Sequence, residues 1–175
     1  MKIMQIPTIR TARLVLRAFR ETDAEPFHEI LCGADVLKYF PRHDPPPLER
    51  VRTLVASYGK HWEERGYGLW AVDSLATGEL MGRCGLQDIP ETGEVEVDGL
   101  LARESWGQGY ATEAAREALR FGFEVVRVPA VVGIVHPGNE ASKRILEKLG
   151  LRETRRTRYF GMDVIRYEIA RPVTP

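Results

Sequence analysis

Apolar residues recur along this 175-residue chain at spacings that predict most of its secondary structure. In residues 48–65 they lie at helical intervals, from Val51 through Val55 to Trp62, which predicts an amphipathic helix. Residues 130–135 are a nearly continuous β-branched run, which is typical of a strand covered on both faces. Further strands are predicted at 13–19, 68–75, 79–86, 95–101, 152–160 and 164–170, and further helices at 22–31, 112–120 and 139–149.

The order of these elements predicts the fold class. Short turns join the strands between residues 68 and 101 into an antiparallel meander, which a helix, the buried strand, a second helix and two strands follow. This order favours an α/β (α+β) fold over a doubly wound parallel sheet, with a mixed, largely antiparallel central sheet flanked by about four helices. Residues 39–47 are predicted to be a proline-rich loop, and Thr22 to cap the helix at 22–31. The length predicts a single domain over residues 1–175.

The segment 105–115, SWGQGYATEAA, carries the strongest local signal. Gly107 and Gly109 come directly before a run of strong helix formers, so they are predicted to lie where a helix begins. The first N–H groups of a helix lack intrahelical partners, and glycines allow an anion to lie directly against them. The segment is therefore a candidate diphosphate site, although a tight strand-to-helix turn would require the same glycines.

Composition and charge narrow the possible partners. Lys and Arg total 25, as do Asp and Glu, so the formal net charge is zero. The overall charge therefore does not favour binding to nucleic acid or to an anionic membrane. Cys32 and Cys84 form no CxxC or CxxH motif for zinc and are too few for a disulfide framework, which predicts a cytoplasmic protein. The amino-terminal residues have no apolar targeting pattern, and no apolar stretch approaches the roughly 20 residues that span a bilayer.

The glycine turn does not fit two other phosphate-binding motifs. A Rossmann motif needs a third Gly or an Ala where this chain has Thr112, and the preceding segment EVEVDG is too charged for a buried parallel strand. A P-loop is excluded because no GKS or GKT sequence follows the glycines. The residues around the turn must therefore indicate which kind of site it forms.

The segment ESWGQGYATEA resembles the acetyl-CoA pyrophosphate loop of the GNAT acetyltransferases, whose general pattern is Q/R-x-x-G-x-G/A. Gly109 matches the central glycine and Ala111 the last small residue, whereas Trp106 stands where the pattern has Gln or Arg. This departure is similar to the RimJ/RimL-type branch, which modifies protein amino termini and other amines. The blocks TARLVLRAF, TGELMGRCGL and HPGNEASKRILEKLGL also resemble that branch and follow in the expected order.

The resemblance implies an N-acetyltransferase that uses acetyl-CoA as a cosubstrate, bound in the wedge between strands 95–101 and 130–135. The amine would attack the acetyl group directly in a ternary complex, with no metal and no covalent intermediate. Backbone groups of residues 100–102 would pair with the pantetheine arm and polarise the thioester. The residues implied in acetyl-CoA binding are Leu100, Leu101, Ala102, Gly107, Gln108, Gly109, Tyr110, Ala111, Thr112, Asn139 and Ser142.

The helix predicted at 139–149 contributes two candidate residues. Its sequence alone predicts that Asn139 caps the helix and that Ser142 lies three positions further, facing the same end. The resemblance implies that Asn139 bonds the pantetheine arm and that Ser142 protonates the departing thiolate. Many GNAT enzymes use a tyrosine as this acid, but the matching position here is Leu146, which leaves Ser142 or water.

Three acidic residues precede the glycine turn. Glu94, Glu96 and Asp98 alternate with valines, so their carboxylates share one face of a strand. For Glu94, near a turn, a solvated position is predicted. Glu96 matches the acidic position of the family's E-I-G-Y strand, where a carboxylate would attract a cationic amine and accept its proton through water. Glu96 is therefore a candidate catalytic and acceptor-binding residue.

The acceptor is less well defined than the donor. Phe40, His43 and Trp70, together with Trp62 and Tyr67, are candidate pocket residues, although aromatic residues at such spacings more often belong to the core. The favoured acceptor is an α-amine at a protein or peptide amino terminus, because it loses its proton more easily than a lysine. A small amine such as an aminoglycoside or polyamine, and a non-catalytic acyl-CoA-binding regulator, remain alternatives. The expected assembly is a monomer or homodimer.

Overall fold

The structure, a computed structural model, describes residues 5–173 and contains eight strands and four α-helices within them. The strands are β1 Ile9–Arg10, β2 Leu14–Arg17, β3 Leu69–Ser74, β4 Leu80–Asp88, β5 Val95–Leu101, β6 Ala130–Val135, β7 Arg152–Tyr159 and β8 Met162–Ala170. The helices are α1 Ala24–Leu31, α2 Leu48–Arg65, α3 Tyr110–Phe121 and α4 Glu140–Lys148. None of these helices is long and apolar enough to cross a membrane.

All eight strands belong to one sheet with the order β1-β2-β3-β4-β5-β6-β8-β7. Every neighbouring pair is antiparallel except β5 and β6, which run parallel. The connection from β5 to β6 passes through α3, as a parallel pair requires. The predicted mixed, largely antiparallel sheet with four helices is therefore confirmed.

The helices cover the sheet from both sides. On one face α3 packs through Ala114 and Ala118, small residues that bring the helix close to the strands. On the other face α1 and α2 contribute Phe27 and Val51, which pack with Leu100 of β5. Strand β5 thus directs alternate side chains into two different apolar clusters, and it lies at the centre of the molecule.

The entry to α1 differs from the prediction. Thr22 does not cap the helix, because residues 21–23 form a short 3-10 turn and α1 begins at Ala24. The Asp23 carboxylate accepts the backbone N–H of Arg20 at 2.7 Å and pairs with Arg17 of β2 at 2.8 Å. A charged carboxylate with a buried guanidinium partner is a stronger acceptor than the Thr22 hydroxyl, so it organises this turn.

Three further elements were not predicted, of which one is a short 3-10 turn at Arg103–Ser105. The two residues of β1 are too few to show an alternating pattern. After α3 the chain continues in a π-helical turn, Gly122–Val126, and ends it at Arg127, which has a left-handed φ of 64°. The remaining predicted helices and strands are confirmed with boundary shifts of at most about two residues.

The central strands approach one another very closely at Gly85 of β4. A Cβ atom at this position would lie 2.1 Å from the Gly68 carbonyl oxygen, and a backbone atom cannot rotate away. We expect Gly85→Ala to lower the free energy of unfolding by about 2 kcal/mol or more in urea denaturation. The control Gly59→Ala, in α2 with open space around it, should raise it by about 0.5–1 kcal/mol. Equal effects of both changes would contradict this account of the packing.

Candidate functional site

Strands β5 and β6 separate from one another and open a cleft in the middle of the sheet. They share one register pair, Glu96 with Val132, whereas β5 pairs with β4 along its whole length. Beyond that pair, β5 continues to Leu101 and β6 to Val135. The edges of the cleft therefore carry backbone N–H and C=O groups that no neighbouring strand satisfies. The cleft lies between the two strands that the resemblance assigns to the donor site.

The alternation of hydrogen bonds along β5 decides which backbone groups face the cleft. The N–H of Ala102 donates to the Met81 carbonyl at 2.8 Å, so even-numbered residues of β5 bond to β4 and odd-numbered ones point toward β6. Leu101 faces the cleft as predicted. The prediction that Leu100 and Ala102 also offer backbone groups there is wrong, because β4 already occupies them. Gly99, which sequence reasoning missed, is the second residue whose backbone faces the cleft.

The glycine turn has the predicted position and conformation. Gly107 and Gly109 adopt left-handed φ angles of 75° and 82°, and Gly109 is the N-cap of α3. A Cβ atom at Gly107 would meet no atom within 4 Å, so the space over the turn is open. Tyr110, Ala111 and Thr112 form the first turn of α3, whose N–H groups are the ones without intrahelical partners.

Arg13, which sequence reasoning also missed, holds this turn in place. Its guanidinium donates to the Gln108 carbonyl at 2.9 Å and to the Glu113 carboxylate at 2.7 Å, and it lies 4.2 Å from the centre of the Tyr110 ring. The Arg13 side chain is 44% exposed beside the amino terminus of α3, where its charge is paired with that of Glu113. Its only sequence signal is the TARLVLRAF block, because 95 positions separate Arg13 from Gln108.

Trp106 joins the end of β5 to the glycine turn. Its indole Nε1 donates to the Leu101 carbonyl at 2.9 Å, and the Arg103 guanidinium lies 4.4 Å from the ring centre. The residue that departs from the general GNAT pattern therefore satisfies a carbonyl that faces the cleft. The Leu101 N–H and the backbone of Gly99 are left for a ligand at this edge.

Helix α4 borders the cleft on the side of β6. The Asn139 side-chain oxygen Oδ1 accepts the Ser142 N–H at 3.1 Å, which confirms the predicted cap. This cap uses neither the Asn139 amide nitrogen nor the Ser142 hydroxyl, and both residues line the cavity described below. Leu146 packs closely against β6, since a Cβ atom on Gly133 would lie 2.6 Å from Leu146 Cδ2. As an apolar residue, Leu146 cannot protonate the departing thiolate.

The acidic residues of β5 form a cluster on the opposite face of the sheet. Glu96 and Asp98 share that face as predicted, and Arg83 of β4 lies with them. The Nη2 atom of Arg83 is 2.9 Å from Asp98 Oδ2, and its Nη1 donates to the Tyr58 hydroxyl at 2.6 Å. Glu96 instead accepts a hydrogen bond from the neutral Gln87 amide at 3.3 Å. Arg83 therefore compensates the negative charge of Asp98 directly and that of Glu96 only from a distance.

The environment of Glu96 favours its protonated form. The residue is only 7% exposed, and burial, reinforced by the charge of Asp98, raises its pKa to about 8. Gln87, Arg83 and the backbone N–H of Ile134 act in the opposite direction but do not cancel this effect. A carboxyl group that titrates near neutral pH can accept a proton from an amine and return it to solvent, as a general base must.

Glu94 differs from its predicted solvated position. The Arg166 Nε donates to its carboxylate at 3.0 Å, and the Tyr159 hydroxyl donates to it at 3.1 Å. Although burial opposes the shift, Arg166 holds the pKa of Glu94 below its usual value. The prediction failed because Arg166 lies on β8, 72 positions away in the sequence. Glu94 thus fastens the sheet and is not a base.

The aromatic candidates divide between cavity and core. Phe40 lines the cavity, but Trp70 is fully buried and packs edge-on against Phe121 at 5.3 Å between ring centres. Trp62 and Tyr67 are also buried. His43 is exposed on the loop 39–47 and does not line the cavity. The prediction for Trp70 is therefore wrong, because alternation along a strand covered on both faces cannot distinguish a pocket from a core. Trp62 and Tyr67 belong to the core, which is the position that aromatic residues at such spacings more often take. The lining of the cavity gives His43 no support as an acceptor residue.

A cavity of about 350 Å³ passes through the cleft and connects the two faces of the sheet. Residues that line it on the side of α3 and α4 are Val97, Ala111, Ala115, Asn139, Ser142, Ile145 and Leu146. Residues that line it on the acidic side are Phe40, Pro41, Arg83, Gln87, Glu96, Asp98, Phe160 and Met162. The predicted residues Glu96, Ser142, Asn139, Ala111 and Phe40 are thus brought together.

These features fit acetyl-CoA. The open glycine turn, the amino terminus of α3 and Arg13 suit a diphosphate, and the Gly99–Leu101 edge suits the amide groups of a pantetheine arm. The cavity then provides a path from this edge to the carboxylate of Glu96 on the other face. The donor would enter from one face of the sheet and the acceptor from the other.

Comparisons with known proteins agree with this geometry. The Bacillus subtilis (strain 168) protein named "Uncharacterized protein YkkB" is 38% identical over 163 residues, which cover 90% of this chain and 92% of that protein. The Escherichia coli (strain K12) spermidine N(1)-acetyltransferase is 29% identical over 139 residues, covering 77% of this chain and 70% of that protein.

Solved structures extend the comparison. The crystal structure of an acetyltransferase from Agrobacterium tumefaciens has a TM-score of 0.83 at 26% identity, with 96% of each chain covered. Ribosomal-protein acetyltransferases share the fold at lower identity. The family described as "Acetyltransferase (GNAT) domain" matches residues 13–152, which include the glycine turn, Glu96 and Ser142. The chain therefore belongs to the GNAT acetyltransferases and is an N-acetyltransferase that uses acetyl-CoA.

Proposed function

We propose that this enzyme transfers the acetyl group of acetyl-CoA to the α-amine at the amino terminus of a protein or peptide. The observation that carries the proposal is the position of Glu96, a buried carboxyl group with a pKa near 8 at the point where the cleft meets the acidic face. On that face the cavity is open to an acceptor, and on the other it leads to Asn139 and Ser142.

The proton balance supports an α-amine over a lysine side chain. A lysine amine needs about 4.6 kcal/mol to become neutral at pH 7, whereas an α-amine needs about 1.4 kcal/mol. A base pKa that is raised above its usual range lies closer to that of an α-ammonium, which lowers the free-energy cost of proton transfer from it. Transfer from a lysine ammonium to the same base would cost about 3 kcal/mol more.

In the proposed reaction, Glu96 accepts a proton from the acceptor ammonium, directly or through one water. The neutral amine then attacks the acetyl carbonyl carbon, forming the C–N bond while the C–S bond breaks. The Leu101 N–H or the Gly99 N–H polarises the carbonyl oxygen. Glu96 returns its proton to solvent and then accepts the second amine proton. The Ser142 hydroxyl, or water, gives a proton to the departing thiolate, and the Ser142 oxygen regains a proton from solvent.

The second candidate is an acetyltransferase for a small amine, which the 29% identity to a spermidine N(1)-acetyltransferase favours. A coupled assay for CoA release separates the two. Peptides with free and blocked amino termini are compared with spermidine and aminoglycosides at equal concentration. Turnover of the free peptide alone supports the proposal, and turnover of the small amines alone contradicts it. Acetyl-CoA binding without turnover of any amine would instead indicate an acyl-CoA-binding regulator.

Glu96→Gln tests the base. The amide cannot accept the proton, so we expect kcat/KM to fall about 100-fold or more while the Kd for acetyl-CoA stays within about twofold. Glu124→Gln, which changes an exposed carboxylate far from the cavity, should leave both unchanged. Unchanged turnover in Glu96→Gln would remove Glu96 from the mechanism.

The pH profile gives a separate test of Glu96. The carboxyl group must be ionised to act, and its pKa is raised to about 8, so activity should rise with pH through that value and then level off. Profiles for two peptides whose amine pKa values differ distinguish a limb that arises from the enzyme from one that arises from the substrate amine. A limb that stays at one pH belongs to the enzyme, and its persistence in Glu96→Gln would assign it to another group.

Gly109→Val tests the diphosphate site. The side chain would occupy the turn at a left-handed φ of 82°, so we expect the Kd for acetyl-CoA to rise about tenfold or more. Gly78→Val imposes similar strain, at a φ of 75°, on the turn between β3 and β4 and should leave the Kd unchanged. Isothermal titration on both proteins distinguishes loss of the site from general loss of stability.

Ser142→Ala tests the proposed acid. The cap of α4 uses the Ser142 backbone N–H, so the helix should persist and the Kd for acetyl-CoA should change little. We expect kcat to fall about 100-fold, and Ser142→Thr, which keeps a hydroxyl group, to retain most of it. A normal kcat in Ser142→Ala would assign the proton to water.

A further inference from the structure

The turn between β7 and β8 carries a residue that its backbone disfavours. Tyr159 and Met162 are paired, so Phe160 and Gly161 form a two-residue hairpin loop. Both have left-handed φ angles, 53° and 74°, as in a type I′ turn. Asn, Asp or Gly is favoured at the first of these positions, whereas an aromatic residue with positive φ is an outlier. Local structure therefore does not explain Phe160.

Phe160 also remains partly outside the core. It is 42% exposed and lines the cavity on the acidic face together with Phe40, Pro41 and Met162. Its backbone N–H donates to the Glu91 carboxylate at 3.0 Å, which ties the tip of this hairpin to the turn before β5. The ring is thus held at the mouth of the cavity by a contact that does not involve the ring itself.

The charges of the cavity are few. Among the lining residues that the structure describes, Glu96 and Asp98 bear the negative charges, and Asp98 pairs with Arg83 at 2.9 Å. An acceptor with a single ammonium group can be balanced by Glu96. A second ammonium group of a polyamine that stayed inside the cavity would meet Arg83 or the apolar wall, where it would lose its hydration without gaining a carboxylate from the lining residues; the Glu91 carboxylate lies outside, at the exposed hairpin tip.

We propose that Phe160 is a specificity-determining residue and that, with Phe40, Pro41 and Met162, it forms the apolar wall of the acceptor site. The acceptor is then a monoamine with an apolar group on or next to the carbon that bears the amine. In a peptide this is a first residue such as Leu, Met or Phe. This inference rests on the proposed function and names its substrate class.

The variant Phe160→Asn separates this role from a structural one. Asn suits the left-handed turn, so the melting temperature should stay equal or rise, and the Kd for acetyl-CoA should not change. The KM for a Leu-first peptide should rise about tenfold, while kcat changes much less. Leu75→Asn removes a side chain of similar exposure, 41%, in the turn after β3 and should leave KM unaltered.

A substrate series completes the test. Peptides that differ only in the first residue, Leu, Phe, Gly or Asp, are assayed with both proteins, along with isoamylamine, phenethylamine and spermidine. The inference predicts that the Leu and Phe peptides have the higher kcat/KM, that Phe160→Asn removes this preference, and that spermidine is poor. Preference for the free apolar amines would assign the same site to a small-molecule acceptor.

The two levels of the hypothesis fail in different ways. If the peptides are acetylated without preference for an apolar first residue, or if Phe160→Asn affects the Gly and Leu peptides equally, the role of Phe160 is wrong while the proposed function stands. If no peptide is acetylated but the apolar amines are, the peptide proposal is wrong while the apolar wall stands. Efficient turnover of spermidine contradicts both.

Discussion

The separation of β5 from β6 after a single register pair is the constraint on which the site depends. Parting two central strands leaves buried backbone groups without partners, and each such group is costly unless something else satisfies it. Trp106 supplies a donor for the Leu101 carbonyl, and the Glu96 carboxylate lies near the N–H of Ile134. On β5, the backbone of Gly99 and the N–H of Leu101 are left, and these are the groups proposed for the pantetheine arm. The cleft is therefore maintained by specific side chains as well as by strand topology.

The surroundings of the cleft also explain why Glu96 has the properties that the proposed base requires. Burial raises the pKa of Glu96, and the negative charge of Asp98, which shares the same face of β5, raises it further. The ion pair of Arg83 is with Asp98, which leaves Glu96 with the neutral Gln87 as its side-chain donor. Had Arg83 paired with Glu96 instead, the pKa of Glu96 would fall. The carboxylate would then bind a proton too weakly to take one from an ammonium ion.

Much of this arrangement is predictable from the sequence, and the failures have physical causes. The bounds of α2, β5 and β6 agree with the prediction because their apolar periodicity is strong and clear turns flank them. The contacts of Arg13 with the glycine turn and of Arg166 with Glu94 join distant segments, which local patterns do not report. Trp70 was misassigned because the strand that carries it is covered on both faces. The direction of the Leu100 backbone depends on pairing with β4, not on its own sequence.

In the proposed site, different kinds of structure recognise the donor and the acceptor, which explains why the sequence identifies the donor better than the acceptor. The donor features are backbone features: the left-handed glycines, the amino terminus of α3 and the open edge of β5. They require glycines and a fixed order of elements, so they leave a motif. The proposed acceptor features are side chains such as Phe40 and Phe160, which line the cavity from a loop and a hairpin tip. Such positions can change without altering the fold, so the acceptor can differ between relatives that bind the same donor.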